Sequence, residues 1–171
     1  MTIHNKQIVQ KITSGLRSRY PLFYILGWEE ERMERLLSVI AKSAFPEPVP
    51  MTVWTSSQGF SDNGDITLKD PVLALQHILN SGTRGIYLMK DMPAEFEQNT
   101  ALIREVRDLY YKLKNKNVFV FFSHPMLKLP DVLKKELFLI EMPLPTEEEI
   151  LDQMRTQVCL LYTSDAADAI C

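Results

Sequence analysis

The sequence predicts an α/β fold in which a parallel five-stranded sheet is covered by helices on both faces, a three-layer arrangement. Three observations carry this reading. Five short apolar runs alternate along the chain with segments of helical period, the order expected of βα units around a parallel sheet. Three of those runs, LFYIL, IYLM and VFVFF, are apolar at every position, as strands covered on both sides must be. The 171 residues, 46% of them apolar, suffice for one core.

In chain order, Ile8, Ile12 and Leu16 stand at four-residue spacing and predict an outlying helix, 1–18, packed on the sheet. The run 22–26 (LFYIL) is the first strand. Successive side chains of a strand alternate, so Phe23 and Ile25 should enter one covered face and Leu22, Tyr24 and Leu26 the other. Met33, Leu36, Leu37, Ile40 and Ala44 then repeat at the three/four spacing of a helix face. After the second strand, 51–54 (MTVW), the segment 56–69 (SSQGFSDNGDITLK) reads as a loop of unusual length, a feature that accompanies function or mobility. Asp70 followed by Pro71 supplies an N-cap and a proline at the first helical position, opening a helix whose apolar face is Val72, Leu75, Ile78 and Leu79. The third strand, 86–89 (IYLM), precedes a helix with Leu102, Val106, Leu109 and Leu113 on one side. The fourth strand is 118–122 (VFVFF) and the fifth 137–140. Thr146 with Glu149 three residues on is a capping box for the last helix. The all-apolar runs belong in the centre of the sheet, and MTVW and LFLIE, which carry polar residues, belong toward its edges.

Charge and composition narrow the function classes. With 19 Lys plus Arg against 22 Asp plus Glu, no cationic excess exists to neutralise a duplex, so nucleic-acid binding is disfavoured. No apolar run approaches the roughly 20 residues of a membrane span, and residues 1–11 do not form a signal-peptide core, so a cytoplasmic location is expected. Residues 158–171 (VCLLYTSDAADAIC) contain no Lys or Arg, hold both cysteines and lack the preceding periodicity. They resemble a translated sequencing adaptor and are expected to be a non-native tail. The remainder then carries 19 basic and 20 acidic residues and no cysteine, which leaves no disulfide and no thiolate metal site. His4, His77 and His124 are too dispersed for a ligand set, and no metal is predicted.

Ligands of open α/β sheets bind beyond the carboxyl ends of the strands. Those positions are 27–31, 56–69, Lys90 and Asp91, Ser123 and His124, and 141–143. A phosphate-binding loop needs glycines, backbone N–H groups and a Lys opening the next helix. Here the junction reads Gly27-Trp28-Glu29-Glu30-Glu31, with one glycine and three carboxylates. A helix N-terminus favours an anion by about 0.3–1 kcal/mol, whereas one carboxylate about 4 Å from a phosphate charge opposes it by roughly 4 kcal/mol at an effective dielectric of 20. Repulsion wins, and the triplet is read as stabilising its own helix end. Ser123 and His124 before Pro125 fit ordinary turn chemistry. Tyr110 and Tyr111 are expected to be one core and one surface aromatic.

Two segments resemble a known family. IYLMKD at 86–91 looks like a Walker B strand with Lys90 where the magnesium-binding acid stands. FVFFSHPMLKLPDVLKKELFLIEMPLPTEEEI, 119–150, resembles the sensor-1 strand of AAA-family ATPases and the element after it, including a phrase close to IE-PLP-EEE. Together with RYPLFYILGWEEERMERLL, 19–37, it is similar to the amino-terminal region of an AAA-family ATPase encoded by a hypothetical reading frame of chloroplast and cyanobacterial genomes. The resemblance covers 15–157 and implies a P-loop NTPase (AAA)-like unit, 19–157, preceding an ATP- and magnesium-dependent module. It also implies a plastid stroma location if the gene is plastid-encoded. The chain has no G-x-x-x-x-G-K-S/T and no paired Asp-Glu after a strand, and it shows Lys134, Lys135 and Glu136 where arginines are expected. Gly27, Asp91 and Ser123 are thus vestigial candidates for a degenerate nucleotide site, with no cofactor for the chain itself and no catalytic residue. As a solvated vestige, Asp91 should be removable almost without effect on stability.

The leading expectation is a non-catalytic AAA-like domain that regulates or positions an ATPase module of its own polypeptide, with an unidentified protein partner or homo-oligomer as further contacts. A receiver-like phosphoacceptor is the alternative, since Glu29 and Glu30, Asp91 and Ser123 follow successive strands. A receiver needs a Lys after its fifth strand, where this chain has Glu141-Met142-Pro143. An intact small ATPase lacks two necessary parts.

Overall fold

The computed structural model describes residues 3–61, 68–147, 150–151 and 154–155. Six strands form one sheet: β1 (Leu22–Leu26), β2 (Met51–Thr55), β3 (Gly59–Phe60), β4 (Gly85–Lys90), β5 (Val118–His124) and β6 (Phe138–Glu141), in the order β3-β2-β4-β5-β1-β6. Every neighbouring pair is parallel except β2 with β3. The helices are α1 (Ile3–Arg17), α2 (Glu30–Ser43), α3 (Pro71–Ser81) and α4 (Thr100–Leu113).

The five parallel strands stand where their composition places them. Apolar β1, β4 and β5 are central and buried almost throughout, while β2 alternates buried with half-buried residues and β6 ends exposed. The strand count needs correcting from five to six. The additional strand, β3, lies inside the segment read as a loop, and its two residues are too few to show any period. Gly59, at φ 78°, allows the reversal after β2, and Phe60 pairs with Trp54 to add a buried aromatic at the sheet edge. Residues 62–67 of the same segment lie outside the described residues.

The pleat of β1 divides the core as its alternation requires. Leu22 and Tyr24 join Ala74, Leu75, Ile78, Leu102, Val106 and Leu109 of α3 and α4 on one face. Phe23 and Ile25 join Ile12 of α1 and Met33, Leu37 and Ile40 of α2 on the other, with Phe23 stacked on Phe121 at 4.5 Å between ring centroids. Burial of each such side chain contributes about 1.5–3 kcal/mol. Helix α1 presents Ile8, Ile12 and Leu16 to this second core, so it is built into the sheet's cover.

Local signals set the helix ends. The Asp70 carboxylate accepts the Leu73 N–H at 2.9 Å ahead of Pro71, and α3 stops at Gly82, which takes the left-handed conformation (φ 59°). Asn99 caps α4 in the same way through the Leu102 N–H at 3.0 Å. At the expected last helix, the Ile150 N–H donates to the Thr146 carbonyl at 3.0 Å. The capping partner Glu149 and the tail 158–171 lie outside the described residues. Of the two adjacent tyrosines, Tyr110 packs on the core and Tyr111 is exposed.

Candidate functional site

The carboxyl ends of β4, β5, β1 and β6 lie side by side, and backbone bonds cross between the segments that leave them. Gly27 donates its N–H to the His124 carbonyl at 3.2 Å, Met142 to the Leu26 carbonyl at 2.8 Å, and Asp91 to the Ser123 carbonyl at 2.9 Å. Gly27, Asp91 and Ser123 therefore gather at one end of the sheet, each with a local task. A Cβ at Gly27 would come within 2.9 Å of the Met142 Cβ, so glycine here permits the close approach of the segments following β1 and β6. Ser123 is buried, opposite Ile25 and Lys90 in the strand register. Asp91 is exposed and left-handed at φ 56°, and it opens the 3-10 turn Met92–Glu95 by accepting the Ala94 N–H at 3.0 Å. Alanine tolerates this conformation less well than aspartate, so a modest cost of removing the Asp91 side chain is expected.

The charges of the mouth are arranged around Lys90. Its side chain, 15% exposed, ends β4 and reaches Glu30 Oε2 at 3.0 Å and Glu34 Oε1 in a still closer contact, so two carboxylates one turn apart on α2 converge on one ammonium. Burial alone would lower the Lys90 pKa, but hydrogen bonds and charge attraction from Glu34 and Glu30 outweigh it and hold the pKa above the ordinary 10.5. The acidic triplet thus does more than stabilise its helix end. Glu30 crosses to β4, while Glu29, at the N-cap position without a capping bond, holds Arg32 at 2.9 Å. Arg32 also donates to the Pro143 carbonyl at 2.8 Å, tying the start of α2 to the segment beyond β6. Glu34 was not a sequence candidate. Its signal was present as the i, i+4 acid of Glu30, but only the α2–β4 packing shows that both face a lysine.

On the other side of β1, Tyr24 organises the segment after β5. Its buried hydroxyl donates to the Met126 carbonyl at 2.8 Å and accepts the Lys128 N–H at 3.0 Å, and burial raises the phenol's pKa although the Lys128 bond opposes this. His124 Nδ1 lies 3.0 Å from the Met126 nitrogen, which donates to it. Of the positions at which the AAA resemblance expects arginines, Lys134 and Lys135 are exposed and Glu136 is buried. Lys134 pairs with Asp131 at 2.6 Å, the Lys135 carbonyl accepts the Tyr20 hydroxyl, and buried Glu136 lies 3.4 Å from Arg107 of α4.

Among the described residues, no group of three or more His, Cys, Asp or Glu side chains converges as a metal site, and no helix is long and apolar enough to cross a membrane.

An α/β sheet of this order, with helices on both faces, defines a protein of P-loop NTPase architecture. The fold resembles the structure of AMPPCP-bound DnaA from Aquifex aeolicus, with a TM-score of 0.55 and 15% identity, covering 92% of this chain and 53% of that one. Residues 8–142 match the model of the SpoVK-like AAA ATPase N-terminal domain, and the chain belongs to that family. Relatives include the uncharacterized AAA domain-containing protein ycf46 of Gracilaria tenuistipitata var. liui, 29% identical over 140 residues, and that of Pyropia yezoensis, 30% identical over 141 residues. In both cases 79% of this chain is covered, and the chain spans 28% of the relative's length. These relatives are plastid-genome proteins, and the match falls in their N-terminal part.

Proposed function

We propose that this chain is a non-catalytic AAA-like domain, residues 19–157 with 1–18 as a helical extension, that serves a C-terminal ATP-hydrolysing module of its polypeptide by contact and regulation. The observation that carries the reading is the Lys90–Glu30–Glu34 cluster. In a nucleotide-binding mouth, the helix after the first strand opens with a cation and the Walker B strand ends in acids. Here the helix brings the acids and the strand ends in the cation, and two carboxylates already occupy the single ammonium. Phosphate entering this mouth would meet two carboxylates and compete with them for the ammonium they share, a balance that Coulomb attraction to one lysine does not reverse. Gly27, Asp91 and Ser123 are then vestiges kept for packing and turn geometry. ATP and magnesium belong to the C-terminal module, and the plastid stroma is the compartment proposed from the relatives.

Calorimetry of the chain with Mg-ATP tests the reading and should show no heat beyond dilution. A dissociation constant below about 10 μM, or about −7 kcal/mol, would overturn it.

A further inference from the structure

The mouth that holds the Lys90 cluster is also where large apolar side chains meet solvent. Trp28 after β1 is 72% exposed, Met126 and Leu127 after β5 are 53% and 52% exposed, and Leu144 after β6 is 78% exposed. The three strands are adjacent in the order β5-β1-β6, with neighbouring strands about 4.8 Å apart, so these residues rim one end of the sheet. Beyond Leu144, Ile150, Leu151 and Met154 are exposed as well. By contrast, Val39, Leu73 and Tyr111 are single exposed apolar residues on three different helices, which is ordinary for a protein surface. A clustered apolar rim with a tryptophan in it has the composition of a contact site.

The rim is held in place. Arg32 pins the Pro143 carbonyl next to Leu144, Tyr24 and His124 fix the backbone at Met126, and Gly27 locks the segment that carries Trp28. Little ordering would be needed when a partner arrives. The position of the chain's exit selects the partner. The polypeptide leaves β6 at this same rim, and in the curated relatives this region is N-terminal and amounts to 28% of the length. A domain that follows is therefore tethered to the apolar surface by the segment after β6, at an effective concentration that a free partner does not match.

We infer that the carboxyl mouth, rimmed by Trp28, Met126, Leu127 and Leu144, is the docking surface for the next domain of the same polypeptide. The inference rests on the chain being the N-terminal part of a longer ATPase, as proposed above, and it adds where the two parts meet. Occupation of the mouth by protein would also leave no room for a nucleotide there.

Tryptophan fluorescence tests this directly, because the chain's other tryptophan, Trp54, is fully buried and bonded through Nε1 to the Leu68 carbonyl at 2.6 Å. In the 171-residue chain, iodide should quench Trp28 and leave Trp54 untouched. In the polypeptide encoded by the uninterrupted gene, with tryptophans of the following domain replaced by phenylalanine, the Trp28 component should be shielded severalfold. Met126→Lys with Leu144→Lys should restore quenching there, whereas Val39→Lys, on the exposed side of α2, should not. Equal quenching of Trp28 in the two proteins would overturn the docking inference while leaving the calorimetric test of nucleotide binding unaffected. Shielding that grows with concentration in the 171-residue chain, with a dimer in sedimentation, would overturn it in favour of a second copy. A reading frame with no further domain would remove both this inference and the proposed function.

Discussion

Two residues separate two kinds of chemistry along β4. Leu88 and Met89 are wholly enclosed between helices, next comes Lys90 in its ion-pair cluster, and then Asp91, exposed and left-handed. The same change occurs along β1, from buried Ile25 through Gly27 to exposed Trp28. Strand bodies are constrained by volume and by the need to bury apolar surface, and a sheet packed this way is indifferent to what lies beyond its ends. Strand ends are constrained only by turn geometry and local charge balance. A fold can thus persist in the bodies while the charges at the ends vary, and here Lys90 and Glu30 set them.

Variants on either side of that divide should separate cleanly. The largest effect is expected in a strand body, where Ile25→Ala should cost about 2–5 kcal/mol in denaturant melts through lost transfer energy and a residual cavity. Against a total stability of about 5–15 kcal/mol, that is a severe loss, and a variant as stable as the parent would dissolve the contrast. Gly27→Ala, at the boundary, should cost about 1–3 kcal/mol by overpacking against Met142, with much of the loss recovered by adding Met142→Ala. Lys90→Met should cost about 1–2 kcal/mol at neutral pH, since it leaves Glu30 and Glu34 facing one another without their cation. Its pH dependence has a definite sign. A lysine whose folded pKa is raised contributes fully below the ordinary 10.5 and loses that contribution as pH climbs through the higher folded value, so parent and Lys90→Met should converge in that alkaline range.

The smallest effects belong to Asp91. Asp91→Ala should cost about 1 kcal/mol because of its left-handed backbone, and Asp91→Gly should be neutral or slightly stabilising. If the mouth were a receiver site, intact-mass spectrometry after treatment with acetyl phosphate would show a phosphoryl adduct lost in Asp91→Ala. None is expected.

How far the sequence could be read obeys the same divide. Burial writes itself as periodicity, so the five parallel strands, the helix faces around Leu37, Ile78 and Val106, and the central placement of LFYIL, IYLM and VFVFF were all legible. Short elements without a period were not. Strand β3 has two residues, and the cap at Asn99 lies beyond any apolar signal. At the mouth, Gly27, Asp91 and Ser123 were visible as positions, but the partners of Lys90 depend on how α2 lies over β4. Pairwise ionic contacts between elements distant in sequence leave no local trace, and so the cluster that carries the functional proposal had to be seen in three dimensions.

The strand order has a consequence for how the chain is made. β1 is among the first elements synthesised, yet both of its neighbours come from the far end: Leu22 pairs with Val120, and Phe23 with Phe138. Roughly a hundred residues must leave the ribosome before LFYIL finds a sheet to join. Until then its two apolar faces and open hydrogen-bonding edges are available to any other strand nearby. The vulnerable interval in the life of this protein is therefore its birth, and stalled or shortened chains that end before β5 should be recovered as aggregates or chaperone complexes and not as smaller folded domains.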